Sequence, residues 1–170
     1  MIHINIGSNL DSNLGTKFSN ISIAINLLIK SKVKIIKISN FYETPSYPNK
    51  KLPKFVNIGA VIECKFDDLT LLKKISLIEK KIGRVKSKIN APRVCDIDII
   101  DFNGLIKKTN LLKLPHPRCH FRNFVLYPIK EIDPGWKHPI LMKNIDFLIN
   151  DLSKKSSIEI TRLSKSVIMK

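Results

Sequence analysis

Cysteine, glycine and arginine are scarce in this 170-residue chain, and each scarcity excludes something. The three cysteines, Cys64, Cys95 and Cys119, are odd in number and far apart. They offer neither a disulfide framework nor a metal-ligand spacing, and they point to a reducing compartment, the cytoplasm. The six glycines form no Gly-x-x-x-x-Gly-Lys-Ser/Thr and no Gly-x-Gly-x-x-Gly. A bound nucleotide is therefore not held by a phosphate loop of either kind. No Ser-His-Asp or Cys-His order is persuasive as a nucleophile with its base. No apolar run is long enough to span a bilayer. The start, Met1-Ile2-His3-Ile4-Asn5-Ile6, alternates like a short strand and lacks the basic start and apolar centre of a signal peptide.

Negative charge is also short. Fourteen Asp and Glu stand against 30 Lys and Arg, a formal charge of +16. That calls for an anionic partner: nucleic acid, a membrane surface or a phosphorylated small molecule. Lys, Ile and Asn are abundant throughout, so the scattered lysines read as solvated surface. Arginine is more telling. Arg84, Arg93, Arg118 and Arg122 lie in one part of the chain, and only Arg162 lies outside it. Their rigid forks suit phosphate better than a lysine point charge does.

What is present supports one globular domain, with 44% hydrophobic residues and enough length for a real core. Ile2 to Ile6 reads as a first strand and Thr16 to Lys30 as a helix with Phe18, Ile21, Ile25 and Leu28 on one stripe. Val33 to Tyr42 reads as a second strand, and residues 44–54, with three prolines, as an irregular loop. Phe55 to Phe66 is a third strand, in which Gly59 marks a bulge. Asp67 or Asp68 caps a second helix that stops at Gly83. A strand follows the basic loop 84–93 and ends near Phe102, where Asn103-Gly104 signals a hairpin into residues 105–107. Helices are expected near 120–129 and 144–152. The expected fold is α+β: a ferredoxin-like βαββαβ core, an antiparallel sheet flanked by helices, with C-terminal additions. Residues 1–152 form the domain, and 153–170 a basic, loosely held extension.

The richest stretch is Pro92-Arg93-Val94-Cys95-Asp96-Ile97-Asp98-Ile99. On a strand, Asp96 and Asp98 face the same side, about 6.5–7 Å apart. Two such carboxylates repel unless a cation accompanies them, and Mg²⁺ fits because it takes oxygen ligands together with substrate phosphates. A solvated strand face reads equally well on these residues alone. His116, stiffened by Pro115 and Pro117 and surrounded by arginines, is expected neutral and able to donate to a phosphate oxygen; a structural turn histidine is the plainer reading. His3, His120 and His138 read as ordinary surface or turn residues. Phe55 and Asn57 share a strand face, where a ring stacks on a flat heterocycle and an amide pairs with its edge. The plainer reading makes Phe55 core and Asn57 surface.

These strings, with Ile6-Gly7-Ser8-Asn9-Leu10, Phe41-Tyr42-Glu43-Thr44-Pro45, Gly83-Arg84-Val85, Leu114-Pro115-His116-Pro117-Arg118 and Phe121-Arg122-Asn123-Phe124, occur in one order over about residues 2–139. The chain thereby resembles the 6-hydroxymethyl-7,8-dihydropterin pyrophosphokinases. The resemblance implies transfer of a diphosphate from ATP to the pterin hydroxymethyl group in folate biosynthesis, leaving AMP. It implies that Asp96 and Asp98 hold two Mg²⁺ ions and that Arg84 and Arg93 stabilise the transferring phosphates. Glu79, Lys86, Arg93, Ile99, His116 and Arg122 would bind ATP. Gly7, Thr44, Pro45, Tyr47, Phe55, Asn57 and Phe124 would bind the pterin. It implies a monomer that needs neither nucleic acid nor membrane.

The chain departs from the pattern where many relatives carry Tyr in place of Phe55, Arg in place of Lys86, or a glutamine in place of Ser76. Its loop before Pro92-Arg93 is one residue shorter and lacks the aromatic that some relatives carry. An RRM-like RNA-binding module shares the element order and the charge. It predicts an aromatic, glycine-containing signature that residues 55–61 lack, and it does not account for two carboxylates on the last strand.

Overall fold

The computed structural model of the chain describes residues 1–47, 49–85 and 91–169. The elements run β1 (Ile2–Ser8), α1 (Lys17–Lys30), β2 (Lys34–Ile38), β3 (Tyr42–Thr44), β4 (Phe55–Glu63), α2 (Asp68–Ile82) and β5 (Asp96–Phe102). After them come β6 (Lys107–Lys108), β7 (Lys113–Leu114), a 3-10 turn (Cys119–Phe121), α3 (Asn123–Ile132), α4 (Ile145–Asn150), α5 (Lys154–Ile158) and β8 (Thr161–Arg162). The main sheet has the order β5-β1-β4-β3-β8, and β2 also pairs with β4. All its pairings are antiparallel. With β2 and β3 read as one broken strand, this is the ferredoxin-like arrangement expected.

Local signals set the first two helices. Thr16 caps α1 by accepting from Ser19 N–H, and Asp67 caps α2 by accepting from Thr70 N–H. Gly83 ends α2 with φ of 104°, a left-handed conformation open to glycine at little cost. The apolar stripes of α1 and α2 pack on one sheet face with Ile2, Ile4, Ile6, Ile97 and Ile99. A second core, built from α3, α4, Trp136 and Ile100, lies apart from the first. Every residue of β1 is buried, because β1 is central and both faces are covered. Among the described residues no helix is long and apolar enough to cross a membrane.

Several expectations change. The stretch 33–42 is two strands, because Ser39 Oγ takes the Gly59 N–H at 3.0 Å and interrupts the ladder. Gly59 is no bulge in the β1–β4 pairing, where it faces Asn5 in register. It is glycine because α3 lies against it: an added Cβ would meet Pro128 Cβ at 2.9 Å. The Asn103-Gly104 turn forms with both φ positive, but β6 pairs with β7 and not with β5. The bulge falls in β5 instead. His3 pairs with Asp101 and Ile4 with Ile99, so Ile100 is the extra residue. In an unbroken strand Asp101, three residues after Asp98, would face the other side; the bulge returns it to the face of Asp98. There it accepts from Trp136 Nε1 at 2.9 Å. His3 and His138 are not surface residues, being 2% and 4% exposed. His3 Nε2 bonds Asp133 at 2.9 Å. Within residues 153–170, Thr161–Arg162 form β8 at the sheet edge, through Tyr42↔Arg162 and Glu43↔Thr161.

Candidate active site

The site is laid out by the pairing of three strands. Gly7 of β1 faces Asp96 of β5 on one side and Asn57 of β4 on the other. Asn5, two residues earlier on the same face, pairs with Asp98. Oriented to satisfy both neighbours, the Asn5 amide donates to Ile58 O at 3.1 Å and to Phe124 O at 2.9 Å, tying the start of α3 to the sheet. Above this floor lies a cavity of about 720 Å³. Its walls include Gly7, Thr44, Pro45, Tyr47, Phe55, Asn57, Arg93, Asp96, Asp98, His116, Arg122 and Phe124. Twelve of the residues singled out in the sequence thus converge on one space.

At the β5 end, charges interlock. Arg84 Nη1 lies 2.8 Å from Asp96 Oδ1, and Arg93 Nη1 donates to Asp96 Oδ2 at 2.6 Å. Burial, then the charge of Asp98, pushes the Asp96 carboxyl above the usual range, and Arg84 and Arg93 only partly offset them. Asp96 and Asp98 stand two residues apart in β5, paired with Gly7 and Asn5 of β1, and their donors are all oxygens. Both facts fit a divalent cation such as Mg²⁺ on Asp96 and Asp98. Arg122 Nη1 donates to Asp98 Oδ2 at 3.3 Å, and its guanidinium stands 5.3 Å from the Phe124 ring centre. Burial lowers Arg122, with Asp98 opposing the shift.

His116 Nε2 is 3.8 Å from Asp98 Oδ2. Its Nδ1 accepts from the Arg118 N–H at 3.1 Å, which leaves the ring proton on Nε2, facing the site. Burial, then Arg122 and Arg118, pulls its pKa down to about 4, so the ring is a neutral donor near pH 7.

Glu79 stands behind β5 and not in the cavity. It accepts from the Ile97 N–H at 2.8 Å and from Arg84. Burial raises its carboxyl against those two pulls. Ile99 lines a separate recess of about 270 Å³, together with Leu72, Asp98, Leu112 and His116. Lys86 and the shortened loop before Ala91 lie outside the described residues.

At the β4 end, Asn57 is 2% exposed and its Nδ2 has no hydrogen-bond partner. A buried amide N–H₂ without a partner is costly unless a ligand or a small shift completes it, and Asn57 lines the cavity. The plainer reading of Asn57 as a surface residue does not hold.

Sequence reasoning missed Asn5, whose alternation with Gly7 was a usable signal. It missed Asn9, which grips Arg93 from both sides: Asn9 N donates to Arg93 O at 3.0 Å and Arg93 N donates to Asn9 Oδ1 at 2.7 Å. It also missed Lys50, Ser153, Ser156 and Glu159 on the cavity wall, for which no local pattern exists.

A second cluster deserves a metal test. Ligand atoms of Cys119, His120 and His138 lie within 4.8 Å of one another. His138 Nδ1, however, accepts from the Ile140 and Leu141 N–H groups, both at 3.2 Å, which leaves its other nitrogen protonated. Burial keeps the Cys119 thiol protonated, pushed up to about 12. These three residues pack together and make a poor metal seat.

Fold and site define a ferredoxin-like α+β protein with a paired-carboxylate, arginine-lined cavity. The model of one family, described as 7,8-dihydro-6-hydroxymethylpterin-pyrophosphokinase (HPPK), matches residues 3–134, and the chain belongs to that family. It is 37% identical to the 2-amino-4-hydroxy-6-hydroxymethyldihydropteridine pyrophosphokinase of Aquifex aeolicus over 134 residues, 79% of this chain and 83% of that one. It is 40% identical to the folic acid synthesis protein FOL1 of Dictyostelium discoideum over 142 residues, 81% of this chain and 22% of that protein. The chain thus spans about a fifth of the length of the longer relatives from Dictyostelium discoideum and Schizosaccharomyces pombe. Among solved structures it is similar to wild-type Plasmodium falciparum HPPK-DHPS, with a TM-score of 0.68 at 17% identity, covering 95% of this chain and 47% of that one. The alternative of an RRM-like RNA-binding module finds no support in this family membership.

Proposed function

We propose that this chain transfers a diphosphate from ATP to the hydroxymethyl oxygen of 6-hydroxymethyl-7,8-dihydropterin, in folate biosynthesis. The pterin oxygen attacks the β-phosphorus, the bond from that phosphorus to the α,β-bridging oxygen breaks, and AMP leaves. The hydroxyl proton passes to solvent. The observation that carries the reading is the span across Gly7: an acidic, arginine-lined end at Asp96 and Asp98, and an unpaired amide at Asn57.

Asp96 and Asp98 hold two Mg²⁺ ions in this reading. Bound there, Mg²⁺ supplies charge neutralisation on the phosphate oxygens and orients the attacking and leaving groups. The protein's own groups do the rest. Arg84 and Arg93, now on Asp96, exchange that carboxylate for phosphate oxygens, where their charge counts as negative charge shifts during transfer. His116 donates from Nε2 to a phosphate oxygen, and Arg122 binds beside it. Glu79 and Ile99 shape the nucleoside side, and Lys86 adds a point charge. Phe55 and Phe124 sandwich the pterin, the Asn57 amide pairs with its edge, and Thr44, Pro45 and Tyr47 close around that edge.

Every group named comes from one chain, within residues 1–152, so the reading needs no second subunit, membrane or nucleic acid. The three free cysteines agree with action in the cytoplasm. AMP release from MgATP, measured with and without the hydroxymethyldihydropterin, tests the proposal. AMP formation that requires the pterin is the expected result; none from the intact protein overturns it.

A further inference from the structure

The chain continues beyond residue 134, where the family match ends, and its last segment returns to the cavity. Two anchors fix that segment. Asn123 Nδ2 donates to Ser156 O, within α5, at 2.6 Å. Beyond it, β8 pairs with β3, and Leu163 N donates to Phe41 O at 2.8 Å. Arg162 adds bonds to Glu131, which also accepts from Tyr42 Oη at 2.7 Å. Glu159 lies between the two anchors and lines the cavity.

Facing it is the loop after β3. Its base is held: Ser46 Oγ donates to Pro53 O at 2.6 Å, and Asn9 Nδ2 donates to both Ser46 Oγ and Pro53 O at 3.2 Å. Further out, Tyr47 lines the cavity although 81% exposed, and Lys50 Nζ forms an ion pair with Glu159. The tail is thus held on both sides of Glu159, and the loop brings Lys50 to it.

We propose that Lys50 and Glu159 are positioning residues: their ion pair latches the loop bearing Tyr47 to the anchored tail and so sets how tightly the cavity retains a flat heterocyclic substrate. The substrate's identity rests on the pterin reading above; the latch itself does not. Removing it releases this contact without touching the carboxylates, arginines or Asn57. An exposed pair of this kind shifts an equilibrium only a few-fold, and reversing one charge adds repulsion.

The test uses the full chain with Glu159→Lys, Lys50→Glu and the double reversal. Two readouts are compared: amide hydrogen exchange of the loop in the ligand-free protein, and KM for the pterin against KM for ATP. Each single reversal is expected to raise loop exchange and pterin KM about three- to fivefold, as loss of an exposed pair predicts, with ATP KM unchanged. The double reversal is expected to restore both. Unchanged loop exchange in the single variants, or no recovery in the double, overturns the latch. Should the intact chain form no AMP while loop exchange still follows the charges, the pterin reading fails and the latch stands.

Discussion

Arg93 Nη1 lies 2.6 Å from Asp96 Oδ2, and both side chains face the same cavity. A cation suited to phosphate therefore rests on a carboxylate suited to a metal. Asp96→Asn removes the metal ligand and also the repulsion from Asp98, so fold and activity should separate. Turnover is expected to fall on the order of 10²–10³-fold, as for loss of one electrostatic contact in a transition state. The thermal midpoint by circular dichroism should change little. Unaltered turnover in this variant would remove Asp96 from the assigned role.

Gly7 is small because Asn57 needs the room. An added Cβ would meet Asn57 Oδ1 at 2.6 Å and Phe55 Cδ1 at 3.8 Å. Gly7→Ala is expected to displace the Asn57 amide and raise the pterin KM well beyond the ATP KM. Overpacking of this kind costs about 1–3 kcal/mol, readable by urea denaturation. Equal effects on both KM values would contradict the placement of Asn57 at the heterocycle edge.

Gly59→Ala tests the other close approach. Its Cβ would press on Pro128 Cβ at 2.9 Å and Ile132 Cδ1 at 3.3 Å, pushing α3 off the sheet. The expected loss is again about 1–3 kcal/mol. Because α3 begins at Asn123–Phe124, turnover should fall as well. A variant as stable as the parent would mean that α3 shifts freely.

Burial lowers the pKa of His3, although Asp133 and Asp101 pull it upward. His116 and His138 are lowered too, each first by burial. The unfolded chain takes up protons at these histidines from about pH 6.5 downward, before the folded chain does. Stability from the neutral, buried rings is thus present above about pH 6.5 and lost as the pH falls below it. The thermal midpoint should drop between pH 7 and pH 5, and His3→Gln should flatten that slope. A midpoint that rises on acidification through this window would reverse the sign assigned here.

Features written in a few neighbouring residues were legible in the sequence. The Asp96/Asp98 alternation, the Asp67 cap and the Gly83 stop each depend on local geometry. What distant chain segments decide was not legible. The bulge at Ile100, which carries Asp101 to the face of Asp98, exists only in register with His3. The break at Ser39 depends on the Gly59 N–H of another strand. The burial of His3 depends on Asp133, 130 residues away. Strand β8 has two residues, too short for any period, and Glu159 reached the cavity only through its anchors.

Gly7 has neighbours on both sides, and that makes the sheet a ruler. From Asp96 across Gly7 to Asn57 is two interstrand steps, about 9.5 Å at the usual spacing. Hydrogen bonding of the backbone sets this length, and no side chain can retune it. A molecule that reacts above Asp96 while its far edge meets Asn57 has to span it. One six-membered ring falls short, and two fused rings with a one-carbon arm bridge the gap. Selection by size is thus built into the backbone itself.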